Sequence, residues 1–180
     1  MRTIVTAALA AALFSIAGCS QREAVAPPAP QEITSDTSGH FCGMGLNEHK
    51  GPKGQIFVAD REALYWFASV RETLAFLKLP EEPKNVVAIY VNDMGRASNW
   101  DRPEPGTWID ARRSWYVIGS RRRAGMNGNE AVPFGDEGKA RVFAAVNGGQ
   151  IVRFEEIPED YVFPGPSSVA ETSGSRELKE

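Results

Sequence analysis

Short apolar blocks alternate with turn-forming residues in the first half of the chain, and they predict strands around one helix. Residues 55–59 form an apolar block typical of a short strand. Asp60 follows as a candidate helix N-cap. A helical stripe with spacings of four and three residues then occurs at Ala63, Phe67, Val70, Leu74 and Leu77. Pro80 and Pro83 end the predicted helix, and residues 86–91 predict a buried strand.

The second half repeats this order more weakly. Residues 115–119 and 131–134 predict strands, and Asp136 is the candidate N-cap of a helix that runs to about Val146. Its apolar positions are Val142, Phe143 and Val146. A glycine pair ends this helix, and residues 150–154 predict the last strand. We therefore expect an α+β fold of two tandem related β-β-α-β lobes, about 39–97 and 98–163, with helices packed on small sheets.

Both flanks of this region have the composition of unfolded chain. Residues 20–38 are rich in Pro, Ala, Ser, Thr and Glu, and residues 164–180 are polar with two prolines near their start. Neither flank holds enough apolar residues to form a core. The predicted organisation is a tether over 19–38, a folded domain over 39–163 and a disordered tail over 164–180.

The N-terminus has the pattern of a lipoprotein signal. Arg2 precedes a short apolar run over residues 6–16, and small residues come directly before Cys19. A run this short does not span about 30 Å of hydrocarbon, so a cleaved signal over residues 1–18 is expected. The alternatives are an ordinary secretory signal cut elsewhere or a buried helix. A lipobox implies acylation of Cys19 and anchoring at the periplasmic face of a membrane. Ser20 favours the outer membrane under the usual sorting rule.

Processing of the signal changes the net charge of the chain and the number of its free thiols. One cation is lost, so 19 Lys+Arg stand against 23 Asp+Glu, and the mature chain carries 19 − 23 = −4. This acidity argues against nucleic-acid binding. Acylation of Cys19 leaves Cys42 as the single thiol, so no intramolecular disulfide is expected. A buried structural cysteine is one interpretation. The glycine-punctuated sequence around Cys42 favours a chemical role instead.

Three methionines remain after the signal, and each follows or precedes glycine in a polar turn. They are Met44, Met94 and Met126. Methionine normally fills gaps in a core, whereas these three lie off the predicted apolar stripes. Thiolate and thioether ligands select copper(I). Cys42 and Met44 are two residues apart and would share one side of an extended backbone. Met94 is the third predicted ligand.

Other ligands and roles are weaker candidates. His49 and Met126 are further possible ligands, and His40 is more simply explained as a solvated loop residue. Structural zinc is disfavoured because one Cys and two His do not make four ligands. The basic run 121–123 is by default a solvated turn, with steering of an acidic partner as the alternative. Asp93 and Asp110 lack an accompanying nucleophile and base, so catalysis is not predicted.

Several ordered motifs resemble the NosL family of copper-binding lipoproteins. They lie at residues 41–46, 48–56, 69–73, 89–95, 108–112, 116–120 and 130–134, and the lipobox also fits. The resemblance covers nearly all of residues 40–163. It implies a copper(I) chaperone for assembly of the CuZ centre of nitrous oxide reductase, with the reductase and its copper-assembly machinery as partners. It places the C-x-M pair at Cys42 and Met44 and the later methionine at Met94.

Three functional classes thus stand at the level of sequence. A non-enzymatic copper chaperone explains both the thiol and the methionines, and we expect it to be a monomer. A cysteine-dependent periplasmic enzyme would use His40 or His49 to activate Cys42. A metal-free interaction lipoprotein would leave the sulfur-bearing residues unexplained.

Overall fold

A four-stranded antiparallel sheet forms the first half of the fold. The computed structural model describes residues 26–125 and 128–163, so the signal, Cys19, Met126 and the tail lie outside the described residues. The strands are β1 (Gly54–Val58), β2 (Tyr65–Phe67), β3 (Val86–Asn92) and β4 (Trp108–Asp110), in the order β2-β1-β3-β4. Helix α1 (Val70–Lys78) connects β2 to β3.

The second sheet has three antiparallel strands and the same connectivity. Its strands are β5 (Trp115–Ile118), β6 (Val132–Phe134) and β7 (Gln150–Arg153), in the order β6-β5-β7, and α2 (Glu137–Asn147) joins β6 to β7. In each sheet the first strand is central and the helix precedes the third strand. The α+β class is therefore confirmed, and each sheet contains a β-β-α-β unit, to which the first sheet adds β4 beside β3. Short 3-10 helices lie at Leu46–Glu48, Ala111–Arg113 and Phe154–Glu156, and α3 (Glu159–Val162) ends the described chain.

The helix predicted to start after Asp60 begins ten residues later. Asp60 has φ 61° and lies in a turn, and the aromatic run that follows forms β2 against β1. Aromatic residues pack well on a pleated sheet, and this packing overrides the helical spacing of the apolar residues. Ser69 is the true N-cap, and its hydroxyl accepts the Glu72 N–H.

The second helix begins where the sequence predicts but faces the core with different residues. Asp136 accepts the Lys139 N–H as N-cap, and Gly148 at φ 72° follows the last turn. Val142 and Val146 are 68% and 66% exposed, so the predicted apolar face is wrong at these two positions. Ala140 is the buried residue of α2, with Phe143 and Ala144 partly buried beside it.

The predicted tether is in contact with the first sheet from Pro28 onward. The Tyr90 hydroxyl donates to the Pro28 carbonyl. Glu32 accepts two hydrogen bonds, from the Gly106 N–H at 2.8 Å and from the Trp108 indole at 3.1 Å. Residues 28–38 thus belong to the folded unit. Strand β4 also falls inside the predicted second lobe although it pairs with β3, so the sheets divide the chain after residue 110.

One hydrophobic core joins the two sheets. The main cluster of buried side chains takes Ile56, Phe67 and Ile89 from the first sheet and Tyr116 and Val152 from the second. Burial of apolar surface is the main stabilising contribution in such a cluster. The two sheets are therefore held together by a shared core. Among the helices of the described ranges, none is long and apolar enough to cross a membrane.

Candidate metal centre

A tight turn presents Cys42 to solvent. Ser38 and Gly45 form an antiparallel bridge, and within it the Gly39 N–H donates to the Met44 carbonyl and the Gly43 N–H to the Gly39 carbonyl. Gly43 has φ 66°, a conformation that favours glycine. The backbone from Cys42 to Met44 is consequently a turn. The sequence-based argument that an extended strand puts both sulfurs on one side is wrong.

The turn brings the thiol of Cys42 to the imidazole of His49. Cys42 Sγ lies 3.7 Å from His49 Nε2, and the thiol is free and partly exposed. His49 is 7% exposed, and its backbone N–H donates to Leu46 at the end of the 3-10 helix Leu46–Glu48. A buried, backbone-fixed imidazole beside a reachable thiol forms a preorganised donor pair. The sequence analysis ranked His49 below the methionines as a metal ligand. Its position seven residues after Cys42 was the feature of the sequence that pointed to it.

Two glycines leave room for this pair because they have no side chain. A Cβ on Gly39 would lie 2.7 Å from Cys42 Sγ, and a Cβ on Gly125 would lie 2.6 Å from His49 Cβ. Gly125 therefore packs directly on His49. The loop 123–129 is closed by the Ala124 N–H to the Gly128 carbonyl at 2.9 Å. Met126 itself lies outside the described residues, next to Gly125.

The other two methionines are in different surroundings. Met44 is 40% exposed in the same turn as Cys42. Met94 is partly buried and packs against the cluster of Val117, Val132 and Phe134. The sequence argument that no methionine has a packing role is thus wrong for Met94. Its described side-chain contacts are with the core of the second sheet.

His40 makes its contacts away from the Cys42 thiol. Its Nε2 lies 2.9 Å from a carboxylate oxygen of Glu82. Its ring packs edge-on against Tyr65, Phe67 and Phe76. Of the two histidines, His49 is therefore the one that faces Cys42.

A buried carboxylate ties the loop 123–129 to the first helix. Glu130 follows this loop and accepts the backbone N–H groups of Val70 and Arg71 at the start of α1. Burial raises its pKa to about 8, against the opposing effect of these hydrogen bonds and of Lys53. Burial likewise lowers the pKa of Lys53 to about 8, while nearby Glu130 acts in the opposite direction. Sequence analysis gave no role to either residue.

The donor atoms of the pair, Cys42 Sγ and His49 Nε2, differ from the oxygen ligands that hard metal ions prefer. Within residues 26–125 and 128–163, no three His, Cys, Asp or Glu side chains converge to hold a metal ion. Cys42 and His49 supply one sulfur and one nitrogen, and Met44 lies in the same turn as Cys42. Such a set suits a soft ion such as copper(I). The fold and this pair define a small α+β protein with a partly exposed thiol–imidazole site.

Comparison with known proteins places the chain more narrowly. A family model described as NosL matches residues 30–162. The copper-binding lipoprotein NosL of Achromobacter cycloclastes is 40% identical over 163 residues, covering 90% of this chain and 84% of that protein. A protein of the same name from Stutzerimonas stutzeri is 34% identical over 147 residues, covering 81% and 75%. The chain belongs to the NosL family.

A solved structure agrees with the fold. The crystal structure of the copper chaperone NosL from Shewanella denitrificans superimposes with a TM-score of 0.69 at 34% identity. The match covers 74% of this chain and 98% of that one. The relatives thus have names that refer to copper binding, lipid attachment and copper delivery.

Proposed function

We propose that this protein is a copper(I) chaperone without enzymatic activity. The observation that carries the proposal is the 3.7 Å approach of Cys42 Sγ to His49 Nε2 in a partly exposed turn. Membership of a family whose named relatives bind copper supports it. The proposed ligands are Cys42 and His49, completed by a thioether from Met44 or Met126.

The proposed ligand set suits transfer as well as binding. The thiolate is the charged ligand and supplies most of the affinity, and its binding releases a proton. Thioethers are neutral, so they bind and leave without proton transfer. Met44 is 40% exposed, which lets an acceptor reach the ion from its side. The second predicted methionine, Met94, remains a candidate ligand only if its packing against the second sheet is released.

The cellular setting follows from the N-terminus and the family. We propose that Cys19 is acylated and that the chain is held at the periplasmic face of a membrane, with Ser20 favouring the outer membrane. We further propose that the copper supports assembly of the CuZ centre of nitrous oxide reductase. The partners would then be the reductase and its copper-assembly machinery, approached by a monomer.

A cysteine-dependent enzyme is the second candidate, because a thiol beside an imidazole is also the arrangement of an activated nucleophile. That mechanism needs a third group to orient the imidazole. In the described part of the chain, the hydrogen-bonded partner of the His49 ring is Cys42 alone. The copper chaperone therefore fits the site better.

Anaerobic titration of the mature chain with copper(I) against a competing chelator tests the proposal. We expect one equivalent to bind and zinc(II) in excess to leave the bound copper in place. Cys42→Ala should lose most of the affinity, with Ser38→Ala in the same turn as the matched control. Equal binding by Cys42→Ala would contradict the site, and no uptake by the wild type would contradict the function.

A further inference from the structure

Three arginines surround the loop that packs on His49. Arg122 and Arg123 lead into the loop 123–129, and Arg71 lies on the first turn of α1 across from it. A Cβ on Gly128 would lie 3.0 Å from a guanidinium nitrogen of Arg71. Gly125 of the same loop contacts the backbone of His49, and Arg122 lies over Trp100, whose ring lies beside Gly51. The three arginines therefore lie on segments next to the metal centre. We call Arg71, Arg122 and Arg123 the basic rim.

The charges of the rim are not neutralised within the described chain. Arg122 lies over the Trp100 ring at 4.2 Å, and Arg123 donates to the amide oxygen of Asn129. The ion pairs in residues 26–125 and 128–163 are His40–Glu82, Lys50–Asp101 and Arg141–Glu137. None of them involves the basic rim. No carboxylate of the described residues therefore lies within ion-pair distance of a rim guanidinium.

Acidic side chains of the neighbouring segments make contacts other than ion pairs with the rim. Glu72 accepts the Ala68 N–H, Glu48 accepts the Gly45 N–H, and Asp101 pairs with Lys50. Glu72 lines the same cavity as Arg71 and keeps its negative charge, so the three arginines leave a local excess of positive charge on a mature chain whose net charge is −4 by sequence. A cationic region next to a site favours the approach of anionic surfaces and raises association rates.

An apolar surface completes this side of the site. Phe41 and Met44 flank Cys42 and are 42% and 40% exposed. An apolar centre bordered by charged residues is the usual anatomy of a docking surface. The charges then set orientation and association rate more than affinity.

We propose that the copper-exchange partner docks an acidic surface on the basic rim, over the Phe41–Met44 turn. This inference rests on the proposed function, since it concerns how copper reaches or leaves Cys42. An anionic membrane surface is the other source of negative charge. A protein is favoured because the rim borders the ion, which a membrane seated there would cover.

Copper removal by chelators of different charge tests the rim without a named partner. Wild-type residues 20–180, carrying copper(I), are mixed with bathocuproine disulfonate or with the uncharged 2,9-dimethyl-1,10-phenanthroline, and absorbance follows the transfer. We expect removal by the anionic chelator to slow several-fold as salt rises, while removal by the uncharged one stays nearly constant. Arg71→Ser/Arg122→Ser should slow the anionic reaction by roughly three- to tenfold and leave the neutral one unchanged.

Matched variants separate charge from structure. Arg71→Lys/Arg122→Lys should behave as wild type, and Arg112→Ser, an exposed residue beyond the opposite edge of the first sheet, should change neither rate. The single variant Arg122→Ser serves if the double variant does not fold. Equal salt dependence in wild type and rim variants would overturn the proposal. Failure to load copper at all would instead contradict the proposed function.

A vesicle assay tests the alternative occupant. Copper-free residues 20–180, which lack the lipidated Cys19, are centrifuged with vesicles of phosphatidylglycerol and phosphatidylcholine. We expect no cosedimentation at physiological salt. Cosedimentation that is lost in Arg71→Ser/Arg122→Ser would assign the rim to the membrane and overturn the protein partner.

Discussion

Cys42 and His49 are seven residues apart in sequence, and their Sγ and Nε2 atoms lie 3.7 Å apart. The left-handed turn at Gly43 and the 3-10 helix Leu46–Glu48 reverse the chain between them. The pair is therefore made by local backbone geometry, while Gly125 from the second half of the chain packs against Cα and Cβ of His49.

The two histidines should differ sharply in their effect on copper(I). His49→Ala removes the imidazole that faces the thiol and should weaken binding by at least about tenfold. His40→Ala is the matched control, because its ring pairs with Glu82, and it should leave affinity unchanged. Chelator competition measures both. A larger loss in His40→Ala would place the ion on the other side of the turn.

The two described methionines should separate binding from stability. Met44→Ala removes an exposed thioether, so it should weaken copper(I) binding and leave the thermal midpoint unchanged. Met94→Ala removes a partly buried side chain from the cluster around Val117, Val132 and Phe134. It should lower the unfolding free energy by about 1 to 2 kcal/mol. Urea titrations with parallel copper competition test this split. Strong loss of affinity in Met94→Ala with unchanged stability would restore Met94 as a primary ligand.

Glu130 should make the folded state less stable as pH rises from 5 to 7. Its pKa is about 8 in the fold and 4.5 in the reference state, so the folded protein holds this proton more tightly. Stability from this group is present below pH 4.5 and is lost as pH rises toward 8. Each unit of separation is worth about 1.4 kcal/mol.

Glu130→Gln should flatten that slope, because an amide does not ionise. Unfolding by urea at pH 5, 6 and 7 compares the slopes of wild type and variant, whatever their absolute stabilities. Glu155→Gln, an exposed carboxyl, is the control and should keep the wild-type slope. A slope that survives Glu130→Gln would show that another group is responsible.

The contacts of Glu32 predict that the N-terminal segment contributes to stability. Glu32→Ala removes acceptors for the Gly106 N–H and the Trp108 indole and should cost about 1 kcal/mol, a shift of a few degrees in the thermal midpoint. Glu81→Ala, an exposed carboxylate, should shift it little. Deletion of residues 164–180 should likewise have little effect. An unchanged midpoint in Glu32→Ala would mean that residues 28–38 only rest on the domain.

The lipobox makes a separate prediction about location. Wild type should fractionate with membranes, and Cys19→Ser should yield unprocessed precursor or released protein, because acylation of Cys19 precedes cleavage. Cys42→Ser is the matched control and should remain in the membrane fraction. Labelling with radioactive palmitate checks the modification directly, and an unmodified soluble wild type would contradict the prediction.

The sequence by itself determined five of the seven strands and the second helix with its Asp136 cap, and it singled out Cys42 as a candidate ligand. These features depend on local periodicity, capping and residue chemistry, which are visible in a short window. The start of α1 at Val70 was not visible, because pairing of the aromatic β2 with β1 is a long-range interaction. Only the tertiary structure decided that His49 faces the thiol, that Met94 packs in a core and that Glu130 links the two halves. The first depends on the left-handed backbone at Gly43 and the 3-10 turn that follows it. The other two depend on which distant segments approach when a shared core is buried.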